Sequence, residues 1–327
     1  MSLLPEQRDD FCRKILLHRR IKGCVVVLCE GDVSYIEVHT PQQMRKLESM
    51  PDANFWRATI PQWWRDKRPV FVPCGDRNSV LQTFRSLKEI HEQDRDNSYL
   101  SPEKLFALVD LDIQAADLSE ISACFQKTEE LYHHMYENSI VNRNIIMDGH
   151  IILTGWIHKE SYFLAPDLQS LFNSSEYQLT FYGEKLQLDT VYEEMAANIP
   201  EEGDIIKHYS VVQTRIKKLM GWETENPQQL AELYMDEFGN TANSYAEKRK
   251  LTESLFIIKK AKPCWHKISI SHPWQESSEE SLRDALILEI GRFWSEKCRE
   301  EQDIEPCFYH IPQWFHILWK TETQLRK

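Results

Sequence analysis

Three acidic residues stand where apolar runs end. Glu30 follows Val25 to Cys29, and Asp110 and Asp112 follow Leu105 to Val109. Carboxyl ends of parallel strands are where open α/β sheets build their sites. On an extended chain, residues two apart point to one side, which would let Asp110 and Asp112 face a single cation. A phosphodiester carries repelling negative charge, and a hard cation such as Mg²⁺ (or Mn²⁺) held by carboxylates neutralises the charge that develops during its cleavage. A nearby glutamate then shuttles a proton or completes the cation's shell, a role that suits Glu30. Gly31 allows the backbone to turn sharply after it.

These residues need a scaffold, and the first half of the chain supplies the pattern of one. Strands are expected at Cys24 to Cys29, Pro69 to Pro73, Leu105 to Val109 and His150 to Thr154, the first and third being continuous apolar runs that suit strands covered on both faces. Between them lie helical segments. Thr40-Pro41-Gln42-Gln43 reads as an N-cap with a capping-box Gln. Residues 78–94 carry Val80, Leu81, Phe84, Leu87 and Ile90 at helical spacing, and residues 118–136 are expected to form a third helix. The order βαβαβαβ predicts a parallel α/β sheet flanked by helices. The second half reads as mainly helical. One helix opens at Asn226-Pro227 and closes at Gly239, another follows a capping box at residues 277–280, and a terminal segment with Trp314, Phe315, Leu318 and Trp319 is expected to dock on that helical body. The boundary falls near residue 165, giving domains 1–165 and 166–327.

With these motifs in place, the chain resembles the TOPRIM family of topoisomerases, primases and OLD-type nucleases. The shared features are the strand-ending Glu30-Gly31 and the later Asp110-Leu111-Asp112. The stand-alone OLD-like branch, which includes the TOPRIM effector of PARIS-type anti-phage systems, is similar also at residues 72–80, and His158-Lys159-Glu160-Ser161-Tyr162-Phe163-Leu164 looks like its Glu-Asn-Tyr-Leu element. The resemblance implies a TOPRIM-like catalytic domain with Glu30, Asp110, Asp112 and Glu160 as metal ligands, while Lys159 suits either a phosphate contact or plain solvent exposure. It also implies a nuclease acting on nucleic acid beside an ABC-type ATPase. No GxxxxGK[ST] loop occurs in this chain, so a partner would supply the ATPase. The family often reads Glu-Gly-x-x-Asp, whereas Ser34 stands here at the aspartate position.

Plainer readings stand beside these. Residues 25–38 also suit a hairpin turning at Glu30 to Ser34, Asp-x-Asp suits a helix N-cap, and Glu160 suits a first-turn glutamate favoured by the helix dipole. A non-catalytic TOPRIM-like binding or regulatory subunit is the alternative function.

The remaining composition is that of an ordinary globular protein, 327 residues with 42% hydrophobic side chains. A net charge of −12 argues against a protein that coats nucleic acid non-specifically. The eight cysteines are scattered without a CxxC pair, as in a reduced cytoplasmic protein, and Cys298, Cys307 and His310 are too irregularly spaced for a zinc site. His133-His134 and the tryptophans Trp56, Trp63 and Trp64 read as surface and packing residues. Neither a signal-peptide apolar region nor a run of ~20 apolar residues is present, which predicts a chain neither exported nor membrane-spanning.

Overall fold

Every residue of β1 (Val26–Cys29), β2 (Val70–Pro73) and β3 (Leu105–Val109) is buried, so these strands have no solvent face and need helices on both sides. The computed structural model describes residues 5–33, 40–122, 124–137, 140–142, 150–240, 244–273, 277–300, 310–311, 313–315 and 317–318. Ser34 and Cys307 lie outside them, as does Trp319. The chain divides into two compact units, neither a single stretch of sequence. The first comprises residues 1–109, 116–153 and 288–327, and the second residues 110–115 and 154–287. The expected cut near residue 165 falls inside the second unit.

The first unit is built on a four-stranded parallel sheet of order β2-β1-β3-β6. Its helices in chain order are α1 (Pro5–Leu16), α2 (Pro41–Glu48), α3 (Pro51–Ala58), α4 (Arg77–Gln93) and α5 (Thr128–Met135). A two-residue hairpin, β4 (Tyr136–Glu137) with β5 (Ile140–Val141), precedes β6 (Ile151–Leu153). The expected capping box at Thr40 is present, with Gln43 N donating to Thr40 Oγ1 at 3.3 Å and Thr40 N to Gln43 Oε1 at 2.8 Å. α2 and α3 pack on β2, and α4 packs on β1 and β3.

Two expectations change. Among the described residues of the helix expected at 118–136, Thr128–Met135 is helical. Asp117 accepts from the Ser119 backbone at 2.8 Å and bridges Lys127, so a polar turn competes successfully with the helix there. The C-terminal aromatics, expected on the helical body, instead cover the sheet unit. Trp314 donates from Nε1 to Tyr136 Oη at 3.0 Å, and Phe315 meets Phe71 of β2 edge-on at 6.5 Å between ring centres. Large aromatic faces there would otherwise be open to water.

The second unit is mainly helical, with a small antiparallel sheet of order β8-β7-β9. These strands are β7 (Gln178–Phe181), β8 (Glu184–Lys185) and β9 (Ile268–Ser271). The helices are α6 (Gln169–Ser174), α7 (Leu188–Ala197), α8 (Gly203–Lys207), α9 (Tyr209–Met220), α10 (Pro227–Gly239), α11 (Tyr245–Phe256) and α12 (Lys262–Lys267). α10 begins as its sequence implies, with the Asn226 side chain accepting from Gln229 N at 3.0 Å. α13 (Glu279–Glu300) runs from the second unit into the last segment of the first, and Ser278 caps it, one position into the expected box. Among the described residues no helix is long and apolar enough to cross a membrane.

Candidate functional site

In the first unit, β1 hydrogen-bonds to β2 on one side and β3 on the other, with Cys29 level with Pro73 and Leu108. The chain goes from β1 to β2, then crosses back to β3, so the strand order reverses between β1 and β3. Such a reversal opens a crevice at the carboxyl ends of the strands. Glu30, half-buried, is the first residue beyond β1. Gly31 behind it pairs with Gly75, with N–H···O distances of 2.9 and 2.8 Å in the two directions. This is an isolated antiparallel bridge just beyond the two parallel strands, and the return strand of the hairpin suggested for residues 25–38 lies outside the described residues. Gly31 has φ +154°, and a Cβ there would lie 2.8 Å from Asp52 Oδ2 and 3.0 Å from Pro73 Cβ. The close approach, as well as the turn, therefore requires glycine. Asp52, in the first turn of α3, sits against this glycine, and no spacing signal in the sequence marks it.

In the second unit, the segment that follows β3 carries Asp110 and Asp112. Asp110 is 8% exposed, and its Oδ2 lies 3.1 Å from His158 Nδ1. Asp112 has φ +45°, so the chain is no longer extended and the alternation expected from strand geometry does not reach it. Aspartate tolerates this left-handed conformation better than most residues. Its Oδ1 accepts from Ile113 N at 2.7 Å, and its carbonyl accepts from Arg215 Nη2 at 2.8 Å. Between the aspartates, Leu111 N donates to Thr154 Oγ1 at 2.9 Å, and that hydroxyl donates to Trp156 O at 2.6 Å. The acidic segment is thus fixed from both sides of its own unit.

Lys159–Phe163 forms a 3-10 turn that buries Glu160 to 6% exposure, with Lys159 Nζ 3.6 Å from Glu160 Oε1. Burial alone would push His158 down. The hydrogen bond with Asp110 and the charges of Asp110, Glu160 and Asp112 outweigh it, holding its pKa above the ordinary histidine value. Three carboxylates therefore act on one imidazole. Lys260 also feels Asp112: burial opposes its charge, but Asp204, to which it is hydrogen-bonded, then Asp112 and Glu202, raise its pKa.

Asp110, Asp112, Glu160 and Lys159 are accordingly gathered in the second unit, and Glu30 belongs to the first. His158 and Arg215 were not among the residues selected from the sequence. His158 adjoins the Lys159-Glu160 pair and was legible only as part of that motif, while Arg215 looks like any basic residue of an amphipathic helix.

Among the described residues no three His, Cys, Asp or Glu side chains are grouped as a ready metal cage. Mg²⁺ is commonly held by one or two carboxylates, with water and substrate phosphate completing its shell. Asp110, Asp112 and Glu160 are oxygen donors of the kind Mg²⁺ takes, unlike the nitrogen and sulfur donors of a closed zinc site. Compared with protein-family models, curated proteins and solved structures, the chain matches none of them.

Proposed function

We propose that this protein is a TOPRIM-like, Mg²⁺-dependent nuclease acting on phosphodiester bonds of nucleic acid. The carrying observation is that β1 and β3, adjacent parallel strands at the point where the sheet order reverses, lead directly into Glu30 and Asp110. One or two of Asp110, Asp112 and Glu160, with water, would hold the cation, which when bound supplies charge neutralisation for the scissile phosphate. Lys159 offers a point charge to a phosphate oxygen. The family resemblance assigns Glu30 as a further ligand or as the acid/base group. His158, kept protonated to higher pH by the carboxylates, balances their charge and orients Asp110.

The acidic balance of the chain gives it little general hold on phosphates, so substrate delivery or activation falls to a partner. An ABC-type ATPase is the partner that the family resemblance suggests, in anti-phage defence. The second reading, a non-catalytic TOPRIM-like binding or regulatory subunit, is favoured by Ser34 at the position where the family often carries aspartate and by the acidic balance of the chain.

The test is titration calorimetry with Mn²⁺ alongside a cleavage assay on labelled DNA and RNA, using the wild type, the Asp110→Asn, Asp112→Asn double variant and Glu30→Gln. Metal binding lost in the double variant and cleavage lost in both, with circular dichroism unchanged, supports the nuclease. Mn²⁺ binding that survives the double substitution removes the metal assignment. Full cleavage by folded Glu30→Gln removes the role of Glu30.

A further inference from the structure

The first unit also contains a cationic pocket whose lining does not include Glu30 or Gly31. This pocket, of about 440 Å³, is walled by α3, the chain just after it, and α13. Arg57, Arg68 and Arg292 line it, with Glu296 as the carboxylate among the lining side chains. In a chain of net charge −12, this is a local concentration of guanidinium groups. Its volume lies within the range of small-molecule sites.

The walls are held in place by the packing. At Gly291 a Cβ would meet Ala58 Cβ at 2.6 Å and Phe55 O at 3.2 Å, so α3 and α13 approach too closely for any side chain. A glycine inside a helix costs roughly 0.5–1 kcal/mol relative to alanine, and here the close contact explains it. That contact sets Arg57 and Arg292, the neighbours in sequence of Ala58 and Gly291, on facing walls. Arg57 Nη2 is braced by Asn54 Oδ1 at 2.5 Å. Arg68 also lines the pocket, its Nε buried in the wall without a hydrogen-bond partner among the described residues.

The aromatic component is Trp63, 42% exposed at the pocket wall. It meets Trp64 edge-on at 6.0 Å, and Trp64, 3% exposed, is anchored edge-on to Phe315 at 6.2 Å. The exposed indole therefore rests on a buried one. Arg65, next along, has φ +46° and ψ −114°, a strained conformation in the middle of the turn that presents the two tryptophans.

Guanidinium groups recognise phosphate by paired hydrogen bonds, and an indole face stacks on a nucleobase. A carboxylate such as Glu296 repels a simple anion but accepts hydrogen bonds from ribose hydroxyls or a base amino group. We infer that this pocket binds a nucleoside phosphate, its phosphate on Arg57, Arg68 and Arg292 and its base on Trp63. The inference stands independently of the nuclease reading. The same chemistry is offered by a free nucleotide and by the 5′-phosphorylated end of a single strand.

Titration calorimetry on the full chain, without added metal, separates these sources. The probes are ADP, UMP, inorganic phosphate and a 5′-phosphorylated hexanucleotide beside its unphosphorylated form. Saturable binding of a nucleotide or of the phosphorylated strand is expected, with inorganic phosphate weaker by about tenfold or more. The tighter of the two nucleoside-phosphate probes identifies the source. Arg68→Gln and Arg292→Gln should each weaken binding about tenfold, and Trp63→Ala should weaken the nucleotide but not inorganic phosphate. Glu296→Gln, which removes the repulsion of a simple anion, should tighten inorganic phosphate more than the nucleotide, a gain that misfolding does not mimic. No binding by any probe at millimolar concentration in wild type and Glu296→Gln would overturn the inference. So would affinities unchanged by all four substitutions, or inorganic phosphate binding as tightly as the nucleotides.

Discussion

Replacing Arg215 by methionine removes a buried fork that ties two parts of the second unit together. The guanidinium is 2% exposed and donates at 2.8 Å to the carbonyls of both Asp112 and Ile257. Hydrogen bonds from a charged donor contribute roughly 1.5–3 kcal/mol each, so two set a scale of about 3–6 kcal/mol. Methionine keeps an apolar stem in the site and avoids burying a charge, which offsets about 1–2 kcal/mol. A net loss of about 3 kcal/mol is expected, corresponding to a fall in melting temperature of roughly 6–12 °C for a domain of this size. Arg215→Lys retains the charge but not the planar fork and should fall between wild type and Arg215→Met. Thermal and urea unfolding followed by circular dichroism measure this. Hydrogen exchange adds a local readout, because Asp112, once its carbonyl is released, should cap Ile113 N less well and let that amide exchange faster. A loss below about 1 kcal/mol in Arg215→Met, or wild-type stability in Arg215→Lys, would show that the fork does not hold the segment.

Gly31→Ala should cost about 1–3 kcal/mol, because its Cβ would overlap Asp52 and Pro73; an unchanged urea midpoint would contradict that packing. His150 stacks on Phe106 at 4.7 Å, and burial lowers its pKa despite the hydrogen bond to Leu105 O. The unfolded chain therefore takes up this proton first on acidification. The stability contributed by neutral His150 is fully present above the ordinary histidine value, about 6.5, and is lost as pH falls through the depressed folded value. Urea midpoints between pH 8 and 5 should fall less steeply in His150→Asn than in wild type, and parallel profiles would refute the assignment. Burial, helped by Asp9, pushes the Cys12 thiol up to about 12, and burial, helped by Glu194, pushes Cys264 up to about 11, whereas Cys124 is exposed. Maleimide labelling of the native protein read by mass spectrometry should thus modify Cys124 well before Cys12 or Cys264, and equal rates would contradict their burial.

Local chemistry carried much of the fold into the sequence. The unbroken apolar runs at 25–29 and 105–109 announced strands covered on both faces, and Thr40 and Asn226 announced helix starts because a cap is decided by residues within one turn of it. Placement of Glu30 and Asp110 just beyond two strands was legible for the same reason. The helix expected from residue 118 was not, because apolar spacing does not register the competing turn at Asp117.

Tertiary structure decided what depends on residues far apart in the chain. The strand order that puts β1 beside β3 follows from packing of the whole sheet, and no local pattern encodes it. Asp110 meets His158 across 48 positions, and Arg215 reaches Asp112 across 103. The same holds for Gly291 against Ala58, and for the C-terminal aromatics that close the sheet unit instead of the helical one. In each case the residue types state what kind of partner is wanted, a charge, a carbonyl or an apolar face. Only the folded chain, in which buried polar groups must find partners and large apolar faces must leave water, selects which one it is.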